Sequence, residues 1–159
     1  MSLVTRPMRE DEADAVAGMV RAIAGHVGAA TVPKLDAAKL RAAGDLIDTV
    51  VAEEDGRLVG ACLGLMTYST WRGARGLYVV DLFVSPEARG RNVGAALLRC
   101  SARRFAARGA SFIKLEVDRT NEGAERFYAR LGFAKKAEDR LHVMEQDKFA
   151  EFVSSGGET

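Results

Sequence analysis

The chain lacks the features that mark secreted, membrane-spanning and metal-dependent proteins. It has only two cysteines in 159 residues, Cys62 and Cys100, and both lie in apolar segments, so we expect buried free thiols rather than a disulfide. No apolar run approaches the ~20 residues that cross a bilayer, and no signal-peptide pattern opens the chain. No His, Cys and carboxylate residues have metal-ligand spacing, so we predict no metal. We therefore expect a soluble, cytoplasmic protein.

An excess of charge of one sign is also missing. Lys and Arg number 23 against 22 Asp and Glu, which gives a net charge of +1. That total predicts no field strong enough to attract nucleic acid or an anionic membrane surface. The hydrophobic fraction of 48% and the charged fraction of 28% are typical of a globular protein. We predict a single domain over residues 1–153 and a flexible polar tail over residues 154–159.

Two common nucleotide-binding motifs are absent. The glycines are wrongly spaced for a dinucleotide fold, and no Gly-Lys precedes Ser or Thr as in a P-loop. The prominent feature is an apolar run over residues 77–84, typical of a strand buried on both faces. The run ends at Ser85-Pro86, and a helix is predicted from about Asn92. One face of that helix repeats every four residues, at Val93, Leu97, Ser101 and Phe105.

The loop between this strand and this helix predicts an anion site. Gly90, Asn92 and Gly94 are small or tolerate a left-handed backbone where the helix begins. Unsatisfied N–H groups and the helix dipole attract an anion there, and Arg89 and Arg91 add positive charge. A diphosphate is the expected ligand, and a ligand-free strand-to-helix turn is the alternative.

The rest of the pattern predicts an α+β fold. The order is a strand, two helices, three strands and a helix, and Asp55-Gly56 is a hairpin-turn signal between two of the strands. Further along we predict a strand over residues 111–117, a helix over 121–131, strands at 132–133 and 141–144, and a terminal helix over 146–153.

Two segments resemble motifs of the GNAT superfamily of N-acetyltransferases. Residues 89–94 resemble its acyl-CoA-binding motif, Gln/Arg-x-x-Gly-x-Gly/Ala, and match at Arg89 and Gly94, with Asn92 where glycine is commonest. Residues 121–133 resemble its Asn-x-x-Ala-x-x-Phe-Tyr-x-x-x-Gly-Phe segment. The resemblance covers nearly the full chain. It implies a GNAT-like mixed, largely antiparallel sheet of about six to seven strands flanked by helices.

A narrower resemblance points to one branch of that superfamily. Residues 67–73 and 77–84 look like the branch that contains the spermidine/spermine and thialysine N-acetyltransferases. Where that branch has a Glu implicated in handling the acceptor amine, this chain has Val80, whereas Asp81 retains the branch's Asp. Dimers are usual in the branch, so the resemblance also implies a homodimer.

The resemblance implies that acetyl-CoA is the cosubstrate and assigns its contacts. The strand backbone is expected to hold the pantetheine arm beside a β-bulge, and the loop amides are expected to hold the pyrophosphate. Asn121 is expected either to bond the pantetheine or to position the second helix. The implied cofactor-binding residues are Leu82, Phe83, Val84, Arg89, Gly90, Arg91, Asn92, Val93, Gly94, Ala95, Asn121, Ala124 and Phe127.

Two residues are the implied catalytic groups. Tyr128 is expected to support the leaving thiolate, and its alternative is a core aromatic beside Phe127. Asp81 is expected to be the general base or amine anchor, and its alternative is a structural bond to backbone or an arginine. His26 either lines the acceptor cleft or is a plain loop residue. Trp71 either borders the acceptor site or packs under its loop.

These expectations predict an N-acetyltransferase that moves an acetyl group from acetyl-CoA to a primary amine. The acceptor is expected to be a small molecule such as a polyamine or an amino acid, attacked directly in a ternary complex. Alternatives are an acetyl-CoA-binding module without catalysis and a protein lysine or N-terminal acetyltransferase.

Overall fold

A computed structural model describes residues 2–27 and 32–155 of the chain. Two compact units divide it, Met1–Glu125 and Arg126–Thr159. In chain order the described elements are β1 (Leu3–Pro7), α1 (Ala13–Val27), α2 (Ala37–Ala43), β2 (Asp48–Glu54), β3 (Arg57–Ser69), β4 (Ala74–Val84), α3 (Val93–Ala106), β5 (Ala110–Lys114), α4 (Glu122–Arg130) and α5 (Gln146–Ser154).

The first unit is built on one mixed sheet. Its strands follow the order β1-β2-β3-β4-β5, with antiparallel neighbours except for the parallel pair β4 and β5. Asp55 and Gly56 both have positive φ, 49° and 79°, which is the backbone that a tight turn between β2 and β3 requires. The predicted α+β class and largely antiparallel sheet are therefore confirmed.

Helices cover both faces of this sheet. On one face, Val51, Ala61 and Leu63 pack in a core with residues of α1 and α2. On the other face, fully buried Leu97 and Phe105 of α3 supply the apolar stripe that the four-residue spacing predicted. Asp36 caps α2, because its carboxylate accepts the Lys39 N–H at 2.8 Å.

The predicted strand count was too high. The described residues hold five strands rather than six to seven, because residues 132–133 and 141–144 form no strand. In addition, β5 ends at Lys114 rather than at residue 117. A short apolar run does not specify strand by itself, because pairing with a neighbouring strand decides its backbone. The single domain over residues 1–153 stays a prediction, as does the mobility of the tail. Residues 156–159 lie outside the described part, and α5 ends at Ser154.

Both cysteines are free thiols, as predicted, but the expected burial holds only for Cys62. Cys100 of α3 is partly exposed. Burial raises the pKa of the Cys62 thiol to about 12, so this sulfur is inert at neutral pH. Within residues 2–27 and 32–155, no helix is long and apolar enough to cross a membrane. The same residues contain no group of three or more His, Cys, Asp or Glu side chains that could hold a metal ion.

Candidate active site

A β-bulge interrupts β4 at Val80. Val79 is paired with Gly64 of β3, whereas Asp81 is paired with the preceding residue, Leu63. Val80 is therefore the extra residue, and it is 43% exposed. A bulge bends its strand and re-aims the side chains that follow it. The bulge expected in this strand is present.

The bulge decides which face of the sheet Asp81 occupies. Cross-strand partners share a face, so Val79 lies with Gly64 on the α3 side, whereas Asp81 lies with Leu63 on the side of α1 and α2. Without the extra residue, alternation would place Asp81 on the same face as Val79. The carboxylate therefore avoids the apolar packing under α3.

Asp81 is partly buried, and its environment changes its acidity. Burial raises the pKa of its carboxyl to about 6, because a desolvated carboxylate is disfavoured relative to the neutral acid. Among the described residues of the first unit, no side chain or backbone group is hydrogen-bonded to it. Within that described part, the carboxylate thus has no backbone or arginine bond of the kind that a purely structural role would use.

The pairing of β4 with β5 ends immediately before the bulge. The two strands are paired from Arg75 and Ala110 as far as Tyr78 and Lys114, and no farther. Residues 79–84 of β4 are therefore paired with β3 alone. Alternate main-chain groups of a strand point to opposite sides, so some of those in Leu82, Phe83 and Val84 face the open side, where they can bind an extended ligand.

The loop after β4 has the backbone that the sequence predicted. Gly90 has φ 78° and Asn92 has φ 62°, and a Cβ built on Gly90 would meet nothing within 4 Å. Asn92 is the N-cap of α3, and its side chain makes no cap hydrogen bond. The first N–H groups of a helix have no partner in the helix itself, so those of Val93, Gly94 and Ala95 can bind an anion.

The two loop arginines make different contacts. Arg89 donates from Nε to the Val84 carbonyl at 3.1 Å, which ties the loop to the end of β4. Arg91 donates from Nη1 to the Glu54 carboxylate at 2.7 Å and from Nη2 to the Glu87 carbonyl at 3.2 Å. Only Arg89 therefore adds uncompensated charge by these contacts. No local pattern pointed to Glu54, which lies 37 positions before Arg91.

Asn121 positions the second helix. Its Oδ1 accepts the Ala124 N–H at 3.1 Å, and its own N–H donates to the Asp118 carbonyl at 2.8 Å. The Asp118 carboxylate in turn accepts the Thr120 N–H at 2.8 Å. Of the two predicted roles for Asn121, this geometry shows the positioning role, and a bond to pantetheine stays a prediction.

Tyr128 lies in the second unit, as does Phe127. The Tyr128 ring packs edge-on against Phe127, with centroids 5.1 Å apart, and against Phe133, with centroids 5.3 Å apart. Gly132 has φ 101°, and this turn lets the Phe133 N–H donate to the Tyr128 carbonyl at 3.1 Å. The second unit therefore fixes the orientation of the Tyr128 ring.

The first unit brings together residues 82–84 at the end of β4 and residues 89–95 around the start of α3, with Asp81 on the same strand. Asn121 and Ala124 lie around the start of α4, and Phe127 lies in the second unit. Trp71 does not pack under its loop, because it is 99% exposed at the tip between β3 and β4. The side chain of His26 lies outside the described part. A hydrogen-bonded pair, Tyr78 and Glu116, was not predicted. Burial and this hydrogen bond raise the pKa of Tyr78, which is the last residue of β4 paired with β5.

Comparison with known proteins agrees with this geometry. The sequence profile of the Acetyltransferase (GNAT) family matches residues 30–133. Thialysine N-epsilon-acetyltransferase of Sus scrofa is 30% identical over 143 residues, 82% of this chain and 84% of that protein. The Bos taurus protein of that name is 36% identical over 75 residues, which span 47% of this chain and only 44% of that protein. An integron cassette protein of V. cholerae shares the fold, with a TM-score of 0.78 at 17% identity over 96% of this chain and 98% of that one.

Proposed function

The chain belongs to the acetyltransferase (GNAT) family and is an acyltransferase, and from this premise we propose that it transfers the acetyl group of acetyl-CoA to the primary amine of a small molecule. The observation that carries the proposal is the end of β4–β5 pairing at Tyr78 and Lys114, which leaves residues 79–84 of β4 paired with β3 alone in the part of the chain that precedes α3. It places open strand backbone and helix N–H groups in consecutive parts of the chain. An extended amide-containing arm that ends in a diphosphate has the chemistry that these two features bind.

The described residues fit acetyl-CoA as follows. Main-chain groups of Leu82, Phe83 and Val84 would bind the amides of the pantetheine arm. The N–H groups of residues 90–95 and the guanidinium of Arg89 would bind the pyrophosphate, because both are fixed donors next to a helix N-terminus. When bound, the cosubstrate supplies an acetyl group activated as a thioester.

Asp81 is proposed to take a proton from the acceptor. A free alkylamine with a pKa of ~10.4 is neutral at pH 7 at a cost of about 4.6 kcal/mol. A carboxylate whose pKa is about 6 is ionised at pH 7, and it can anchor the ammonium group and accept its proton directly or through water. The neutral nitrogen then attacks the thioester carbonyl carbon, and the C–S bond breaks as the C–N bond forms.

Tyr128 and the strand backbone are proposed to stabilise the charges that develop. An N–H of residues 82–84 can bind the oxygen that becomes negative during attack. Full proton transfer from a phenol of pKa ~10 to a thiolate of pKa ~8.5 is uphill by about 2 kcal/mol. Tyr128 is therefore assigned a hydrogen bond to the leaving thiolate in the transition state, and solvent completes the proton transfer.

Small lysine-like amines are the proposed acceptor class. The Sus scrofa relative is named for acetylation of the epsilon nitrogen of thialysine. In this chain Val80 carries no carboxylate, so Asp81 is the one acidic residue of residues 77–84. One carboxylate is sufficient to anchor the single reacting ammonium group of such a molecule. A homodimer and a cytoplasmic location belong to the same proposal.

The test is release of CoA thiol from acetyl-CoA against lysine analogues, polyamines, amino acids and a lysine peptide. Tyr128→Phe is expected to lower kcat roughly 30-fold, which corresponds to about 2 kcal/mol, with unchanged acetyl-CoA affinity. Tyr68→Phe is the matched control, because it removes the same hydroxyl from a tyrosine that is 61% exposed. It is expected to leave kcat unchanged.

Each other result rejects part of the proposal. Acetyl-CoA binding without turnover on any amine would reject transfer to small amines and favour a binding module. Turnover on the peptide alone would assign a protein acceptor. No acetyl-CoA binding would reject the proposed roles of residues 82–84 and 89–95.

A further inference from the structure

The near-neutral total charge conceals a strong local asymmetry. Residues 56–114 contain ten Lys and Arg against two Asp and Glu, whereas the rest of the chain contains 13 basic and 20 acidic residues. This basic segment runs from the start of β3 to the end of β5 and includes α3. A local field can therefore attract an anion even though the net charge is +1.

Part of this charge gathers far from the proposed cofactor loop. We call this surface the distal patch and define it as Tyr68, Trp71, Arg72, Arg75 and Arg108. α3 has 14 residues, so at 1.5 Å per residue its C-terminal end lies about 20 Å from its N-terminus. The arginines of the patch cannot serve a diphosphate bound at that N-terminus.

Contacts within the first unit connect Arg75 with Arg108 and place Tyr68 beside Arg75, at the end of the β3–β4 hairpin whose tip carries Trp71 and Arg72. Arg75 donates from Nη1 to the Arg108 carbonyl at 3.0 Å, just beyond the last turn of α3. Tyr68 is paired with Arg75 across β3 and β4, so their side chains share a face. The Arg72 guanidinium lies 4.7 Å from the centroid of the Phe112 ring. That ring packs against Gly76, on the opposite face of the sheet from Arg75, so the patch extends around the end of the hairpin.

The positive charge of the patch is not neutralised within the described part of the chain. Arg72 contacts Ser69 and a ring, Arg75 binds a carbonyl, and Arg108 lies over Phe105. The nearby Asp48 carboxylate binds Arg104 instead, through both oxygens at 2.7 and 3.0 Å. No acidic side chain of residues 2–27 or 32–155 pairs with Arg72, Arg75 or Arg108.

Two exposed aromatic side chains stand among these arginines. Trp71 is 99% exposed and Tyr68 is 61% exposed. Guanidinium groups bind phosphate oxygens in a bidentate manner, and exposed aromatic rings stack on unpaired bases. From this combination we propose that the distal patch binds single-stranded nucleic acid. A duplex would satisfy the arginines but would offer Trp71 no free base to stack on.

The chain's own fluorescence tests this proposal, because Trp71 is its one tryptophan. An unlabelled oligouridine of about 15 nucleotides is expected to quench that fluorescence, with a Kd of roughly 1–100 µM at low salt. Three phosphate contacts at about 0.7 each in the logarithmic salt slope predict roughly 20-fold weaker binding when salt rises fourfold.

Variants locate the binding surface. Arg72→Gln with Arg75→Gln is expected to weaken binding at least 5-fold and to lower the salt slope by about 1.4. The control pair, Arg57→Gln with Arg119→Gln, makes the same charge change at exposed arginines outside the patch and is expected to shift Kd less than 2-fold. Trp71→Ala, followed with a labelled oligouridine, is expected to lose roughly 5- to 100-fold in affinity.

Other outcomes overturn the proposal, and they are separable from failure of the acetyltransferase proposal. Absence of quenching at low salt excludes base stacking at Trp71. Heparin or an acidic peptide that binds as tightly as oligouridine assigns the patch to a polyanion or protein partner. Equal effects of the patch pair and the control pair remove the patch from binding. Acetyl-CoA affinity, measured on the same variants, is expected to be unchanged because the patch lies at the other end of α3.

Discussion

The carboxylate of Glu54, at the end of β2, lies 2.7 Å from Nη1 of Arg91 in the loop before α3. One of the two loop arginines thus has its charge neutralised by a residue outside the loop. The Glu54 side chain is only 14% exposed, so solvent screens this negative charge incompletely. A negative charge at this place opposes binding of a diphosphate even while it fixes the Arg91 side chain.

Glu54→Gln is expected to strengthen acetyl-CoA binding about 3- to 5-fold at low salt, because removing one negative charge beside the loop proposed to bind the diphosphate is worth about 0.8 kcal/mol. The glutamine oxygen can still accept from Arg91, so the loop keeps its position. Calorimetric titration at low and high salt measures this effect, and the gain should shrink but persist at high salt, because the Glu54 side chain is only 14% exposed.

Asp55→Asn is the matched control for Glu54→Gln. It makes the same charge change at the neighbouring residue, whose side chain is exposed and whose positive φ suits asparagine. It should alter acetyl-CoA affinity less than 1.5-fold. Weaker binding by Glu54→Gln would mean that the full ionic bond to Arg91, rather than the removed charge, governs the loop.

Asp81→Asn is expected to stabilise the fold at pH 7.5. The folded-state pKa of about 6 is higher than the unfolded value near 3.9, so the folded chain binds more protons between these pH values. Stability conferred by the wild-type side chain therefore falls as pH rises from about 4 to about 6. Removing the charge should add about 1–2 kcal/mol at pH 7.5, because the carboxylate keeps part of its hydration, and little at pH 4.

Urea unfolding at both pH values measures the effect of Asp81→Asn. Glu87→Gln serves as control, since it neutralises an exposed carboxylate and should stay within about 0.5 kcal/mol of the wild type at either pH. A loss of stability in Asp81→Asn at pH 7.5 would show that the charged form has a favourable partner. In turnover assays the same variant should lose the dependence on a group with a pKa near 6.

Local signals and tertiary signals were not equally predictable from the sequence. Asn92 could be placed at a left-handed helix start, because backbone preference belongs to the residue itself, and its φ of 62° agrees. The strands expected at residues 132–133 and 141–144 are absent because strand formation depends on a partner. The bulge was expected from the family resemblance, but its place at Val80 and its effect on Asp81 are set by register against β3. Glu54 was not found because nothing local links it to Arg91.

Arg6 links three parts of the first unit, and its loss should make the fold less stable. Its guanidinium binds Glu12 in a bidentate manner, at 2.7 and 3.0 Å, and also binds Glu53 of β2. The bond to Arg6 lowers the pKa of Glu12, so this stabilisation is present above the unfolded pKa and is lost as pH falls through the folded one. Arg6→Gln should cost about 2–3 kcal/mol at pH 7, and the deficit should shrink below about pH 4.

Arg9→Gln is the control for Arg6→Gln. Arg9 is also near Glu12, at 3.9 Å, but its side chain is 65% exposed, so its loss should cost less than about 0.5 kcal/mol. Denaturant unfolding across pH 3 to 7 compares the two variants. If both variants lost the same free energy of unfolding, the stabilisation would come from the number of charges and not from the buried position of Arg6.

Gly60 lets β3 and β4 approach α3 closely. Replacing it should disturb residues 82–84 of β4, which are proposed to bind the pantetheine arm. A Cβ there would lie 2.6 Å from the Phe83 carbonyl oxygen and 2.9 Å from Leu97 Cδ1, so β4 backbone or the helix must move. Gly60→Ala should lower stability by about 1–3 kcal/mol and weaken acetyl-CoA binding together with it.

Gly18→Ala, in the interior of α1, is the control. The new methyl group would meet only the Arg21 side chain at 3.8 Å, so this change should instead raise stability by up to about 1 kcal/mol. Thermal unfolding and acetyl-CoA titration of both variants decide the matter. If Gly60→Ala were as stable as the wild type but bound acetyl-CoA poorly, the close contact at Gly60 would serve the ligand site alone. If it were less stable but bound acetyl-CoA normally, the Phe83 backbone would not be part of the pantetheine site.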